Sequence, residues 1–192
     1  MSKTSHKVTI AVYGGRDIYD QSLKVMKAAE NLGTAIADAG ATLAMPTTTG
    51  FPAWVAKGAK AAKGQVIGFS PAAGEREHHA VYNLPTDHTD HVVYSGFGFA
   101  GADLLISRSC DAIVFGYGGL ETVHEFWVAF QEGKPIGVLK GGWDTDEILF
   151  GLLKGYEATF DHHRIIFDDD PKNLVDQLVK RAQRDRTEAY HL

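Results

Sequence analysis

The stretch from Asp111 to Leu139 constrains the fold more than any other part of the sequence, because it holds two strand-like segments joined by a helix-like one. Residues 112–115 form a short apolar run, as expected for a strand buried on both faces. Apolar residues then recur at helical spacing between Val123 and Phe130, and a second apolar run follows Gly133. Strand, helix and strand in this order predict two parallel strands joined by a right-handed crossover.

The same alternation extends along the chain and predicts a single α/β domain over residues 1–192. The expected architecture is a Rossmann-like, doubly wound, mostly parallel sheet of six or seven strands with helices on both faces. The predicted strands lie at residues 8–13, 41–45, 65–71, 91–94, 112–115, 136–139 and 165–167. The predicted helices include residues 19–39, 53–63, 104–109, 145–154 and 172–186.

Composition and charge narrow the class of partner. The chain is 44% hydrophobic, and its net charge of -5 argues against nucleic-acid binding and against a polybasic membrane contact. No apolar run approaches ~20 residues, so no membrane-spanning helix is expected. The polar first residues lack the apolar middle of a signal peptide, which predicts a cytoplasmic location. Cys110 precedes a predicted strand and is expected to be a buried structural thiol rather than a nucleophile.

A glycine-rich turn separates the strand at 112–115 from the following helix. It contains Gly116, Gly118 and Gly119. Glycine lets a ligand approach the backbone closely, and the first N–H groups of a helix are unpaired at the positive end of its dipole. This turn therefore predicts an anion site, most simply a phosphate site.

Three further turns are expected at the same edge of the sheet, beyond the carboxyl ends of the strands. The threonines among them can cap the next helix or bond a phosphate, and the sequence leaves both alternatives open. The candidate ligand-binding residues in these turns are Gly14 and Gly15, then Thr47, Thr48, Thr49 and Gly50, and finally Gly96, Gly98 and Gly101.

Two other segments contain residue types that can bind metals, but neither is predicted to be a metal site. The connection from residue 72 to residue 90 contains His78, His79 and His88, but their spacing fits no zinc pattern and no cysteine accompanies them. We expect a solvated loop with incidental histidines, which could form a substrate lid or a subunit contact. The acidic run at 168–170 precedes a predicted helix, so a helix cap is expected there rather than a Mg²⁺ site.

The residues from Gly118 to Glu125 resemble the hallmark Gly-Gly-x-Gly-Thr-x-x-Glu of the Lonely Guy (LOG) family and its relatives, formerly described as possible lysine decarboxylases. The resemblance covers about residues 8–155. Thr122 and Glu125 match the hallmark, whereas Glu121 replaces its last glycine. Hydrolytic members also carry an arginine on the preceding helix, where alignment places Ala102 or Asp103 here.

The resemblance implies binding of a nucleoside monophosphate or a similar phosphorylated ligand. Hydrolytic LOG proteins release the free base from such a nucleotide, and Glu125 matches the carboxylate of that reaction. Gly118, Gly119 and Thr122 match the phosphate contacts, and Glu121 lies among them. The alternative is a non-catalytic carrier, because molybdenum cofactor carrier proteins share this fold and bind a phosphorylated pterin. A bound nucleotide or phosphopterin is therefore the expected small molecule, and no metal site is predicted.

A homodimer or a higher homo-oligomer is also expected. Phe126, Trp127 and Phe130 make the helix after the glycine turn strongly aromatic. One apolar face of this helix must cover the sheet, and a second aromatic edge would suit a partner subunit. The family's habit of dimerising points the same way.

Overall fold

The computed structural model describes residues 6–16, 23–154 and 164–189. Within these ranges seven strands form one sheet, and all the pairings are parallel. The strands are β1 (Thr9–Tyr13), β2 (Thr42–Pro46), β3 (Gln65–Ser70), β4 (His91–Tyr94), β5 (Ala112–Phe115), β6 (Ile136–Leu139) and β7 (Ile165–Asp168). The helices are α1 (Leu23–Asp38), α2 (Phe51–Ala61), α3 (Glu75–Ala80), α4 (Gly98–Ser109), α5 (Leu120–Gln131), α6 (Asp144–Lys154) and α7 (Pro171–Ala189).

The strands are arranged in the order β4-β3-β2-β1-β5-β6-β7, so the direction of winding reverses at β1. The chain first moves from β1 outward to β4, and it then returns so that β5 pairs with the other side of β1. The register places Ile10 opposite Ala112 and Tyr13 opposite Phe115. This topology confirms the predicted doubly wound parallel sheet. It also places the switch point, where such folds bind ligands, between β1 and β5.

Side chains of β1 enter two apolar layers, one on each face of the sheet. Ile10 and Val12 belong to the layer that contains residues of α1, α2 and α7. Ala11 and Tyr13 belong to the layer that contains residues of α4, α5 and α6. Because both faces are covered, the central strands are apolar throughout, which explains why short continuous apolar runs identified them.

Two predicted helix starts are wrong by two residues or more. Helix α2 begins at Phe51 rather than at residue 53, because Pro52 fits the first helical turn. Helix α4 begins at Gly98 rather than at residue 104, so Gly101 lies inside a helix and not in a turn. The Cβ of an alanine at 101 would come close to the Phe97 side chain, and small size is what this position requires. Residues 19–22, predicted to start α1, lie outside the described residues.

The segment from residue 72 to residue 90 contains helix α3, and the prediction of incidental solvated histidines is wrong for His78. That side chain is fully buried, and its Nδ1 lies 2.8 Å from the Ser70 hydroxyl. Burial lowers the pKa of His78, so its neutral form is favoured. His79 and His88 are exposed. No group of three or more potential metal ligands occurs among the described residues.

Three further sequence expectations can be compared with the structure. Asp170 caps α7, because its carboxylate accepts the N–H groups of Lys172 and Asn173 at 2.8 and 3.1 Å. Cys110 is buried, and burial raises the pKa of its thiol to about 12.

On α5, Phe126 is buried and Trp127 is half-buried, while oligomerisation stays a prediction. None of the described helices is long and apolar enough to cross a bilayer.

Candidate functional site

The turns that follow β1, β2 and β5 meet at the switch point through backbone hydrogen bonds. The Gly15 N–H donates to the Tyr117 carbonyl at 2.6 Å, and the Phe51 N–H donates to the Gly15 carbonyl at 2.9 Å. The Thr49 hydroxyl donates to the Arg16 carbonyl at 2.5 Å. The turn after β1 is therefore held between the other two turns.

The glycines of these turns allow the close backbone approach. A Cβ on Gly14 would lie 2.7 Å from the Tyr117 carbonyl oxygen, and a Cβ on Gly116 would strike the Phe51 ring. Gly50 has a φ of 78° and precedes α2 against the backbone of residues 15 and 16. The structure thus gives these predicted ligand contacts a packing role at the centre of the site.

The threonines after β2 do not cap α2, whose N-cap is Gly50 and which has no side-chain cap. Thr47 and Thr48 are buried, and the Thr47 hydroxyl donates to the Phe69 carbonyl at 3.0 Å. Thr49 is exposed and supports Arg16 instead. The capping alternative left open by the sequence is therefore not what this structure shows.

The turn after β4 forms a separate part of the same edge. Gly96 and Gly98 have φ values of 69° and 68° and donate to the carbonyls of Ala72 and Pro71. This turn starts α4, and α4 in turn places Phe99 and Asp103 next to the turn after β1.

The first turn of α5 is the candidate anion site. Gly119 is the N-cap of this helix, and no side chain caps it. The Gly118 N–H is already used, because it donates to the Thr145 hydroxyl at 2.7 Å. Thr122 is fully buried, and its hydroxyl has no hydrogen-bond partner among the residues that the structure describes.

Glu121 lies on that first turn and is exposed. Its carboxylate oxygens are 3.0 and 3.5 Å from the position that a Cβ on Gly119 would take. It forms no cap hydrogen bond with the start of α5. The carboxylate therefore lies against the N-cap glycine and brings negative charge to the place where a phosphate would bind.

Glu125 lies one turn after Thr122 and is buried, with 3% of its surface exposed. Its Oε1 is 3.2 Å from Nη2 of Arg16, which is 3.5 Å from Oδ2 of Asp103. The Arg16 guanidinium also stacks on Phe99, with its Cζ 4.6 Å from the ring centroid. Oε2 of Glu125 has no partner in the described part of the chain.

Burial sets the protonation of this cluster. Burial, together with the nearby Asp103 charge, raises the pKa of Glu125 to about 8, although Arg16 opposes the shift. The pKa of Asp103 is also raised by burial, against the attraction of Arg16 and His124. Near pH 7 the Glu125 carboxyl is therefore mostly neutral, while Arg16 carries its charge.

The raised pKa of Glu125 predicts a pH dependence of stability. Between about pH 4.5 and pH 8 the folded protein retains a proton that the unfolded chain releases. The free energy of unfolding should therefore fall as pH rises through this window, by at most about 1.4 kcal/mol per pH unit. Glu125→Gln, measured by urea denaturation at several pH values, should remove this contribution.

Glu147→Gln is the matched control, because Glu147 is exposed on α6 and is not one of the charges that raise the pKa of Glu125. It should keep the wild-type slope. Asp103 contributes a slope of the same sign, since burial raises its pKa as well. An unchanged slope between pH 6 and 8 in Glu125→Gln would contradict the assignment.

Sequence reasoning missed Arg16 and identified Asp103 only as the replacement of a family arginine. A signal for Arg16 was present, because it directly follows the two glycines at the end of β1. The family resemblance points to an arginine on α4, however, where Arg108 forms an exposed ion pair with Glu132. The structure brings a guanidinium to Glu125 from a different turn.

The fold is a parallel, doubly wound sheet with glycine turns at its switch point, and an uncapped helix start lies there beside buried polar groups. These features define a Rossmann-like protein with a candidate ligand site at that edge of the sheet. The chain belongs to the SLOG cluster4 family, whose model matches residues 7–175. No curated protein sequence is significantly similar to the chain.

Solved structures with this fold include two molybdenum cofactor proteins. The molybdenum cofactor binding protein of Rippkaea orientalis is 25% identical, with a TM-score of 0.72 over 92% of this chain and 97% of that one. The molybdenum cofactor carrier protein of Chlamydomonas reinhardtii is 25% identical, with a TM-score of 0.67 over 93% and 98% of the two chains. DNA processing protein A of Helicobacter pylori shares the fold alone, at 17% identity and a TM-score of 0.62 over 91% and 81%.

Proposed function

We propose that the protein binds a small phosphorylated ligand at the carboxyl ends of β1 and β5, with the phosphate on the first turn of α5. The observation that carries the proposal is a pair of buried polar atoms without partners in the described chain, Thr122 Oγ1 and Glu125 Oε2. An unsatisfied buried polar group costs about 1–3 kcal/mol. A ligand that bonds both atoms and the free N–H groups of α5 would remove that cost.

The ligand class that we favour is a phosphorylated pterin, with the protein acting as a carrier or binding protein for the molybdenum cofactor. The two molybdenum cofactor proteins support this class, since each is similar to this chain over more than nine-tenths of both lengths. The protonation of Glu125 supports binding as well. A neutral carboxyl beside a phosphate avoids the repulsion that an ionised one would bring.

The second candidate is hydrolysis of a nucleoside monophosphate, which the pairing of Glu125 with Arg16 favours. Loss of the base builds positive charge on the sugar, and an ionised carboxylate stabilises that charge. Because Glu125 is mostly neutral near pH 7, we expect binding without fast turnover. Adenine release from AMP should be slower than roughly one per second.

The test uses AMP and the molybdenum cofactor released from a purified molybdenum enzyme. At a hundred times its Kd, a ligand should add about 2.7 kcal/mol to stability, which a thermal melt detects. Mass spectrometry of the denatured, purified protein should identify a phosphopterin among the released molecules. Chromatography of the AMP samples measures free adenine. If neither compound raises the melting temperature, the proposed function is wrong.

A further inference from the structure

The side chain of Arg16 is held by groups from two helices that the chain reaches much later. Phe99 and Asp103 are four residues apart on α4, so they lie on the same side of that helix and approach the guanidinium together. Glu125 approaches it from α5. A stacked ring and two carboxyl groups therefore limit the rotamers of a side chain that is otherwise flexible.

Arg16 nevertheless has N–H groups left with which to bond a ligand. About a quarter of its side chain is exposed, and its Nε is buried without a hydrogen-bond partner among the described residues. The ion-pair contacts with Asp103 and Glu125 both use Nη2. A guanidinium has five N–H donors in a fixed plane, and phosphate is the oxyanion that such a fork binds in two-point fashion.

We propose that Arg16 contacts the phosphorylated ligand and that Asp103 is a positioning residue that holds the guanidinium beside Glu125. This inference rests on the proposed function and adds a specific ligand contact to it. An arginine that is already ordered loses less side-chain entropy when it binds a phosphate than a free one does. Asp103 is suited to this role because its carboxylate is itself buried, with Arg16 as its ion-pair partner.

The contact is tested by calorimetric titration of AMP and of inorganic phosphate into wild type, Arg16→Ala and Arg16→Lys. Arg16→Ala should bind both compounds at least tenfold more weakly. Arg16→Lys should fall between the two, since lysine keeps the charge but loses the planar fork. Arg108→Ala is the matched control, because Arg108 is exposed and should not affect either affinity.

The positioning role is tested by combining Asp103→Asn with Arg16→Ala. Asp103→Asn alone should weaken AMP binding at least threefold, although it removes a negative charge from the site. In the Arg16→Ala background it should leave affinity unchanged or raise it, because no guanidinium is left to hold. A general structural role would weaken binding equally in both backgrounds. Melting temperatures without ligand show which variants are folded, and Arg16→Lys replaces Arg16→Ala if the latter is not.

The results of these experiments distinguish this inference from the proposed function on which it rests. Binding of AMP by wild type and by Arg16→Ala with equal affinity overturns the role of Arg16 and leaves the proposed function intact. Unimpaired binding by Asp103→Asn overturns the positioning role. Failure of wild type to bind either AMP or inorganic phosphate overturns this inference, and the molybdenum cofactor melt then decides the proposed function alone.

Discussion

Replacing Gly118 by alanine is expected to weaken binding of AMP by about 10- to 100-fold, even if the protein stays folded. The added Cβ would lie 2.8 Å from the Gly15 nitrogen and 2.8 Å from the Thr122 Cβ, and it would also strike the Thr122 hydroxyl. Overpacking of this kind costs about 1–3 kcal/mol. Here the strain moves Thr122 and the first turn of α5, so most of it should appear as lost affinity in a calorimetric titration.

Gly74→Ala is the control for this variant. Gly74 has extended backbone with nothing within 4 Å of an added Cβ, and it precedes α3 rather than α5. It should bind AMP like wild type. If Gly118→Ala binds AMP as tightly as wild type does, the phosphate does not rest on this turn.

Replacing Gly58 by alanine should lower the free energy of unfolding by about 3 kcal/mol, which is the upper end of the range for overpacking. Gly58 faces α1 from the middle of α2, and its added Cβ would strike the Glu30 carbonyl, with the Glu30 Cα 2.7 Å away. Gly33 makes the reciprocal contact with Val55 and Ala59. Because the obstruction is backbone, only separation of the two helices could relieve it.

Gly151→Ala is the matched control, since Gly151 is also inside a helix but has nothing within 4 Å of an added Cβ. There, alanine should raise stability by up to about 1 kcal/mol through helix propensity. Urea denaturation of both variants measures the difference. Equal stability of Gly58→Ala and wild type would show that α1 and α2 do not meet at these glycines.

Much of the fold was predictable because its signals are local. Each central strand is a short apolar run, and each helix carries its apolar residues at a period near 3.6, so neighbouring residues alone define them. Helix boundaries were less predictable. At α4, the turn signal from Gly96 to Gly101 masked the first residues of the helix. Single glycines are compatible with a turn, a helix start or a close helix contact, and the choice depends on the surroundings.

The candidate site was predictable in its position and only partly in its composition. The glycine turn from Gly116 to Gly119 and the spacing of Thr122 and Glu125 predicted a ligand site at this edge, which stays a prediction. Their environment could not be predicted. Glu125 by its sequence alone resembles an exposed helical glutamate, whereas the structure buries it and raises its pKa to about 8. His78 is a similar case, because burial against Ser70 depends on the path of a whole connection.

The sequence by itself determined the order of strands and helices except for α3, the parallel sheet, and the edge at which we expect a ligand to bind, since contiguous patterns encode all three. Only the tertiary structure decided which charges meet there. Arg16 is 87 residues from Asp103 and 109 residues from Glu125, yet the switch-point topology brings the three side chains into contact. Their protonation and pairing depend on desolvation and on distances of a few ångströms, which exist only once the chain has folded.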